Sequence, residues 1–309
     1  VFNPDGNSRM SAWTHMHGGY VPVSNPSHRL HNTFWPGGRT NHYWFDLNRQ
    51  WLIIQHPGPR GWVAKFHEWK PNITVDYHEM GQSSTYYFHP GAPNRTFPYI
   101  PDQSMELLDQ VSDRARSWLD SEQRLYFNEE NYDNYYIGKG STYPHMHASM
   151  GMLFEQASSE GFLDTPHGVL SFRDNIRTQY RTSLEMVRAG VEMRGELLQY
   201  QRDFSRESVE LTAGDAIKGY VFSAPGDKAR AFHAIDILNR HQIQVNHLEQ
   251  DIIVDNIEFT ADSSYVVLTD QAQYRMVKAL FEKITNFEDN TFYDAVSYTH
   301  LTLPTKRIV

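Results

Sequence analysis

Asn72-Ile73-Thr74-Val75-Asp76-Tyr77-His78 reads as a strand that runs out at an imidazole, and Met150-Gly151-Met152-Leu153-Phe154-Glu155 as a second that runs out at a carboxylate. The first carries β-branched residues at 73–75, which favour a pleated backbone. The second is an apolar run of strand length. In open α/β sheets, ligands gather beyond the carboxyl ends of strands. A carboxylate buried there costs several kcal/mol unless something offsets it. Cores avoid that cost, and active sites use it.

Helical patterns flank both runs. Trp62, Val63, Phe66 and Trp69 recur at helical spacing over residues 57–70, and Pro71 ends the pattern. Residues 102–125 form an amphipathic helix, with Asp102 as N-cap and Met105, Leu107, Leu108 and Val111 on the buried side. A long helix is expected over 173–204, with Ile176, Tyr180, Leu184, Val187, Val191 and Leu197 near one stripe and Gly190 as the candidate break. Asn3-Pro4-Asp5-Gly6 has turn chemistry, and residues 7–42 show no steady period, so a loop layer is expected there. Residues 81–85 and 126–143 also read as turn and loop. After residue 215 the pattern changes to strand 219–223, helix 227–240, strand 243–245, strand signal over 259–269 and helix 272–284. That rhythm predicts a second, small α/β domain. No internal repeat and no low-complexity tract is present.

The chain has 309 residues, room for one large domain or two ordinary ones. Its net charge of -9 opposes a phosphate-binding surface, so no nucleic-acid partner is expected. Aromatic residues crowd the first 150 positions, a density that suits an extended cleft or an ordinary core. With no cysteine, disulfides and thiolate metal sites are excluded. No apolar run is long enough to span a membrane. The chain opens at Val1 and reads as an internal piece of a longer protein. Val296-Ser297-Tyr298-Thr299-His300-Leu301-Thr302-Leu303-Pro304-Thr305 resembles the in-frame translation of a sequencing adapter, so residues 295–309 are read as a non-native tail.

Three kinds of chemistry stand out. Asn48 and Arg49, in Tyr43-Trp44-Phe45-Asp46-Leu47-Asn48-Arg49-Gln50-Trp51, offer an amide and a planar fork that match a carboxylate. His78 can bind a metal, and Glu155 can move a proton. Singly, each has a plain alternative: a surface-loop arginine, a hydrogen-bonded histidine, an exposed loop carboxylate.

In order, Asn3-Pro4-Asp5-Gly6, Asp46-Leu47-Asn48-Arg49-Gln50-Trp51, Asp76-Tyr77-His78 and Leu153-Phe154-Glu155 resemble the carboxypeptidase A-like zinc carboxypeptidases, over about residues 1–160. The run from Gly151 to Ser159 is similar to a bacterial branch with a further C-terminal domain. The resemblance implies a three-layer α/β/α mixed-sheet fold, incomplete here, over 1–210, followed by a small α/β domain over 215–294. It implies an enzyme that uses Zn2+ to hydrolyse C-terminal peptide bonds, with a peptide or protein C-terminus as its substrate. His78 would be the last of three protein zinc ligands, and Asp46 a carboxylate orienting a zinc-binding histidine. Asn48 and Arg49 would hold the terminal carboxylate, and Glu155 would be the general base. Tyr136 would cover the substrate, with Tyr135 as a rival. Arg39 would steady the oxyanion, with Arg9 and Arg29 as rivals. Glu79 is set aside as a ligand, because adjacent strand residues face opposite ways.

Two departures matter. The family's Asn-Arg-Asn reads Asn48-Arg49-Gln50, and none of the 16 histidines has Glu three residues later, so the first two ligands are expected before Val1. The chain alone is then expected to bind zinc poorly. Alternatives are a peptide-binding module without catalysis, or a zinc amidase acting on cell-wall or conjugated peptides. Export to the periplasm or beyond is the compartment the resemblance implies. The Ala224-Pro225-Gly226-Asp227 turn before a helix is read as a connection or an anion site.

Overall fold

Asn3 Oδ1 accepts from the Gly6 amide (3.1 Å), and Pro4 takes the first helical position of α1 (Pro4–His17). A helix therefore stands where a turn and loop are expected. Asn, Pro and an early Asp start helices as readily as turns. Gly6 is the one buried residue of α1, so no apolar period reveals it in the sequence. The computed structural model describes residues 3–283 and 305–308.

The helix α2 (Pro57–Trp69) forms as expected, and Lys70 closes it at φ +46°. Strands β1 (Ile73–Met80), β2 (Tyr86–Phe88) and β3 (Met150–Ala157) make one sheet in the order β1-β3-β2. β1 and β3 are parallel, while β2 is antiparallel to β3. The pairing continues through Glu79↔Gln156 and Met80↔Ala157, so His78 and Glu155 are cross-strand partners inside the sheet, not strand ends. Ladder pairing between the two strands outweighs the low strand propensity of the polar residues.

Helix α3 (Asp102–Ser121) packs Leu107, Leu108, Val111 and Ala115 inward, with Pro101 rather than Asp102 at its N-cap. The hairpin β4 (Phe162–Thr165) and β5 (Gly168–Ser171) leads into α4 (Phe172–Glu192) and α5 (Arg194–Gly214). The long helix expected over 173–204 is thus two, and it breaks at Met193, not at Gly190. Most of its apolar stripe also faces outward, although Leu197 is buried. Ile176, Tyr180, Val187 and Val191 are exposed, whereas Thr178, Thr182, Met186 and Ala189 are buried. The Thr178 and Thr182 hydroxyls each donate to a carbonyl one turn back (2.9 Å), so they enter the core already satisfied.

The last part contains β6 (Gly219–Ser223), α6 (Lys228–Arg240), β7 (Asn246–His247), β8 (Ile252–Val254), β9 (Ile257–Phe259), β10 (Ser264–Leu268), α7 (Tyr274–Phe281) and β11 (Thr305–Ile308). Its main sheet has the order β11-β6-β10-β7, with antiparallel neighbours throughout. β6 and β7 therefore point the same way with β10 between them, a split βαβ arrangement. The strand expected at 243–245 falls at Asn246–His247, and Ile243 is instead buried core. Residues 305–308, in the tail set aside as adapter-derived, pair with β6 as an edge strand. The other tail residues and the end of the helix expected over 272–284 lie outside the described residues.

The class is mixed α/β, as expected. One apolar cluster joins β2 and β3 to α3, α4 and α5 through Phe88, Leu108, Met152, Phe154, Met186 and Leu197. A second runs from Trp51, Val63 and Tyr143 to Tyr220, Phe222, Leu238 and Met276, so the early and late parts of the chain share a core.

Candidate functional site

Successive residues of a strand face opposite sides of its sheet, and partners in a parallel ladder face the same side. Met150, Met152 and Phe154 point to the helices of the first cluster. The other face of the same two strands therefore carries Thr74, Asp76 and His78 beside Gly151, Leu153 and Glu155. This alternation puts an imidazole and two carboxyl groups on one sheet face.

Two loops close over that face. Asp46 Oδ1 accepts from the Asn48 amide (2.9 Å) and starts a 3-10 turn, Leu47–Arg49. Trp51 donates its amide to the Gly138 carbonyl (3.1 Å), and Gly140 donates to Asn48 Oδ1 (2.8 Å). A Cβ on Gly140 would lie 2.9 Å from Asp76 Oδ2, so only glycine allows this approach. The Gly140 bond fixes the Asn48 amide, whose Nδ2 then faces Asp76 Oδ2 (3.0 Å) and His78 Nε2 (2.9 Å).

His78 Nε2 also lies 2.8 Å from Asp76 Oδ1. Asp76 only accepts, so the proton on Nε2 is directed at Asp76 Oδ1, Nδ1 keeps the lone pair in the neutral ring, and the Asn48 amide donates to Asp76 Oδ2 rather than to Nε2. Burial works to lower the His78 pKa, but the Asp76 bond and charge and the Glu155 charge outweigh it, and the net shift is upward. Glu155 is 9% exposed. Burial raises its pKa, against the opposing pull of His78 and Arg39.

The other residues singled out by sequence fall in several places. Arg39 donates to Asp46 Oδ2 from Nε (2.9 Å) and from its terminal nitrogen (2.7 Å), and its charge is felt at both His78 and Glu155. Asp46 thus holds an arginine and a turn, and the carboxylate that orients a histidine here is Asp76. Arg9 braces the backbone at Gly37 and Thr40, and Arg29 lies 5.3 Å from the Phe34 ring, so neither rival occupies the position of Arg39. Arg49 donates to the Asn48 carbonyl (3.1 Å), and its charge lowers the pKa of Lys139, itself lowered mainly by burial. Tyr136 folds against Gly138 in its own loop, and Tyr135 packs on Phe97 at 5.7 Å. The tyrosines that feel the Glu155 charge are Tyr132, pushed up to about 12 mainly by burial, and Tyr87, the β2 partner of Glu155. Asp76 was legible as a motif member, and its i, i+2 spacing from His78 on a strand was the signal for its role. Tyr132 had no such signal.

A catalytic zinc takes three protein ligands and an open position. An imidazole whose Nε2–H is held by a carboxylate has the form of such a ligand. Among the described residues, however, no group of three His, Cys, Asp or Glu side chains is placed to hold a metal ion. The described residues therefore do not complete a zinc site. Also among them, no helix is long and apolar enough to cross a membrane.

No protein-family model matches the chain, and no curated protein sequence matches it. A solved structure of a metallo-carboxypeptidase from Burkholderia cenocepacia is similar at 15% identity and TM-score 0.40, over 55% of this chain and 43% of that one. The chain thus spans less than half the length of that structure. So slight a likeness carries neither substrate nor metal from that protein to this chain.

Proposed function

We propose that this chain carries the carboxylate-recognition and proton-transfer groups of a carboxypeptidase-type hydrolase acting at peptide C-termini. The observation behind the reading is the shared sheet face: His78, held by Asp76, lies across the ladder from the buried Glu155, within the field of Arg39.

A guanidinium matches the two oxygens of a terminal carboxylate. Arg39 and Arg49 supply the guanidinium, and Asn48 holds the Asp76 carboxylate and the Gly140 loop beside them. A fixed cation accepts only a chain end, which favours trimming over internal cleavage. Glu155, with its pKa raised by burial, is suited to take a proton from water and return it to a leaving amine. A zinc ion held by His78 together with ligands beyond the described set would polarise the scissile carbonyl and lower the pKa of bound water toward ~7.

The test is a calorimetric titration with two peptides of one sequence, one with a free C-terminus and one amidated. The free acid is expected to bind at least about tenfold more tightly, as loss of a charge-assisted pair implies. Arg49→Gln and Asn48→Ala should narrow that difference. Equal affinities for both peptides would remove the basis of the reading.

A further inference from the structure

Within residues 34–45, Phe34, Trp35, Tyr43, Trp44 and Phe45 all face solvent, Trp35 at 76% and Trp44 at 57% exposure. Exposed apolar groups gathered into a patch mark interaction sites, and the Tyr43 and Phe45 rings both lie against His56 (6.4 and 4.5 Å). The Trp35 and Trp44 rings lie together, centroids 5.1 Å apart and planes at 30°.

This surface is braced, not loose. Arg9 Nε donates to the Gly37 carbonyl (2.9 Å), and Asn3 Nδ2 to the Gly38 (2.9 Å) and Arg39 (3.2 Å) carbonyls. The His42 amide and ring donate to Asp5 (3.0 and 2.7 Å). Asn41 Oδ1 accepts from the Tyr43 and Phe45 amides, both at 3.0 Å. At the tip, Trp44 is held at φ +66°, which a bulky L-residue adopts only under constraint. Aromatic rings fixed in advance lose little freedom on binding.

The same loop holds Arg39, and the Thr40↔Asp46 bridge closes it. The cation that faces His78 and Glu155 is therefore continuous with the aromatic surface. Trp35 lies four residues from Arg39, at most about 14 Å along the backbone, the span of about four extended peptide residues.

We propose that Trp35 and Trp44, flanked by Tyr43 and Phe45, bind the peptide segment just upstream of the terminal carboxylate and select a bulky apolar or aromatic side chain there. The occupant is a peptide because the adjoining groups, Arg39 and Arg49, suit a carboxylate at one end of it. This inference rests on the function proposed above for where the carboxylate sits, and the two are separable by experiment.

The experiment measures affinities of four peptides, with Trp or Gly at the third residue from the end and the terminus free or amidated. Wild type is expected to prefer Trp over Gly by about tenfold, the size of one good aromatic contact. Trp35→Ala with Trp44→Ala should abolish that preference while keeping the preference for a free terminus. Trp35→Phe should retain most of it, and circular dichroism checks that each variant is folded. A Trp preference that survives in the double variant, or is absent from wild type, overturns the proposal. So does tighter binding of a neutral oligosaccharide than of any peptide. Loss of the free-terminus preference alone, with the Trp preference intact and sensitive to the double variant, refutes the proposed function but supports the platform.

Discussion

Acidification should weaken the joint between the early and late parts of the chain through one buried imidazole, His241. Its Nε2 lies 2.7 Å from the Leu52 carbonyl, and its Nδ1 2.8 Å from the Tyr143 hydroxyl. A carbonyl only accepts, so Nε2 carries the proton and Nδ1 accepts from Tyr143. The hydroxyl has then given its single hydrogen, so its contact with His67 Nε2 (2.9 Å) must be donated by His67. Every proton in this relay is assigned, and an added one has no acceptor. The titratable groups around it, His67, His147 and Lys70, are bases, so none offers a negative charge to the added proton. Burial first, then Lys70, brings His67 down to about 4. Burial first, with His67 adding to it against the Leu52 bond, brings His241 down to about 4. His147, whose ring is 4.8 Å from His67, is lowered further by burial, His67 and His241. The folded pKa lies below the unfolded value of about 6.5, so the unfolded chain takes the proton first. His241 therefore contributes fully above about pH 6.5, and its contribution is lost as pH falls toward 4. A gap of about 2.5 units corresponds to roughly 3 kcal/mol, a large part of a typical domain's stability. Urea unfolding of wild type and His241→Gln between pH 7 and pH 4 tests this. The variant should be less stable at pH 7, and its pH slope near pH 5 should be shallower by about one proton, or about 1.4 kcal/mol per pH unit. Equal slopes would refute the argument.

Two shorter predictions concern the sheet face. Gly151→Ala places a Cβ 2.1 Å from the Ser141 carbonyl oxygen, a backbone atom that cannot swing away. Thermal or urea unfolding should show a loss of at least about 2–3 kcal/mol; a variant as stable as wild type would contradict this packing. Asp76→Asn removes the charge that outweighs burial at His78, so the His78 titration, followed by NMR, should move down in pH. An unchanged titration would mean that Asp76 does not hold the ring.

Sequence patterns were most legible where one face of an element is plainly apolar. Helices α2 and α3 fall where the spacing of Val63 and Phe66, and of Leu108 and Val111, places them. Where burial and apolarity part company, the pattern misleads. The α4 stripe of Ile176, Tyr180, Val187 and Val191 has the right period, yet Thr178 and Thr182 face the core because they bond back to their own helix. α1 is invisible for the opposite reason: it buries almost nothing, and its start signals also start turns. The order β6-β10-β7 could not be read from a βαβ rhythm, which says nothing of a strand inserted later in the chain.

At the candidate site, local chemistry was legible but depth in the sheet was not. A histidine after a β-branched run and a glutamate after an apolar run both look like chain leaving a sheet. Each instead continues for two more residues, because the strands satisfy one another through Met80↔Ala157. The difference matters for chemistry. At a strand end, His78 would be solvated and its proton would be set by bulk water. Inside the ladder, Asp76 two residues back is forced onto the same face and accepts a hydrogen bond from Nε2. The loop glycine at 140 then has to come close enough to hold Asn48, which leaves no room for a Cβ. Register, not the identity of any one residue, converts Asp76, His78 and Glu155 from three scattered polar positions into one electrostatic unit. A shift of β1 by a single residue against β3 would turn the imidazole into the apolar cluster and expose the sheet's wrong face.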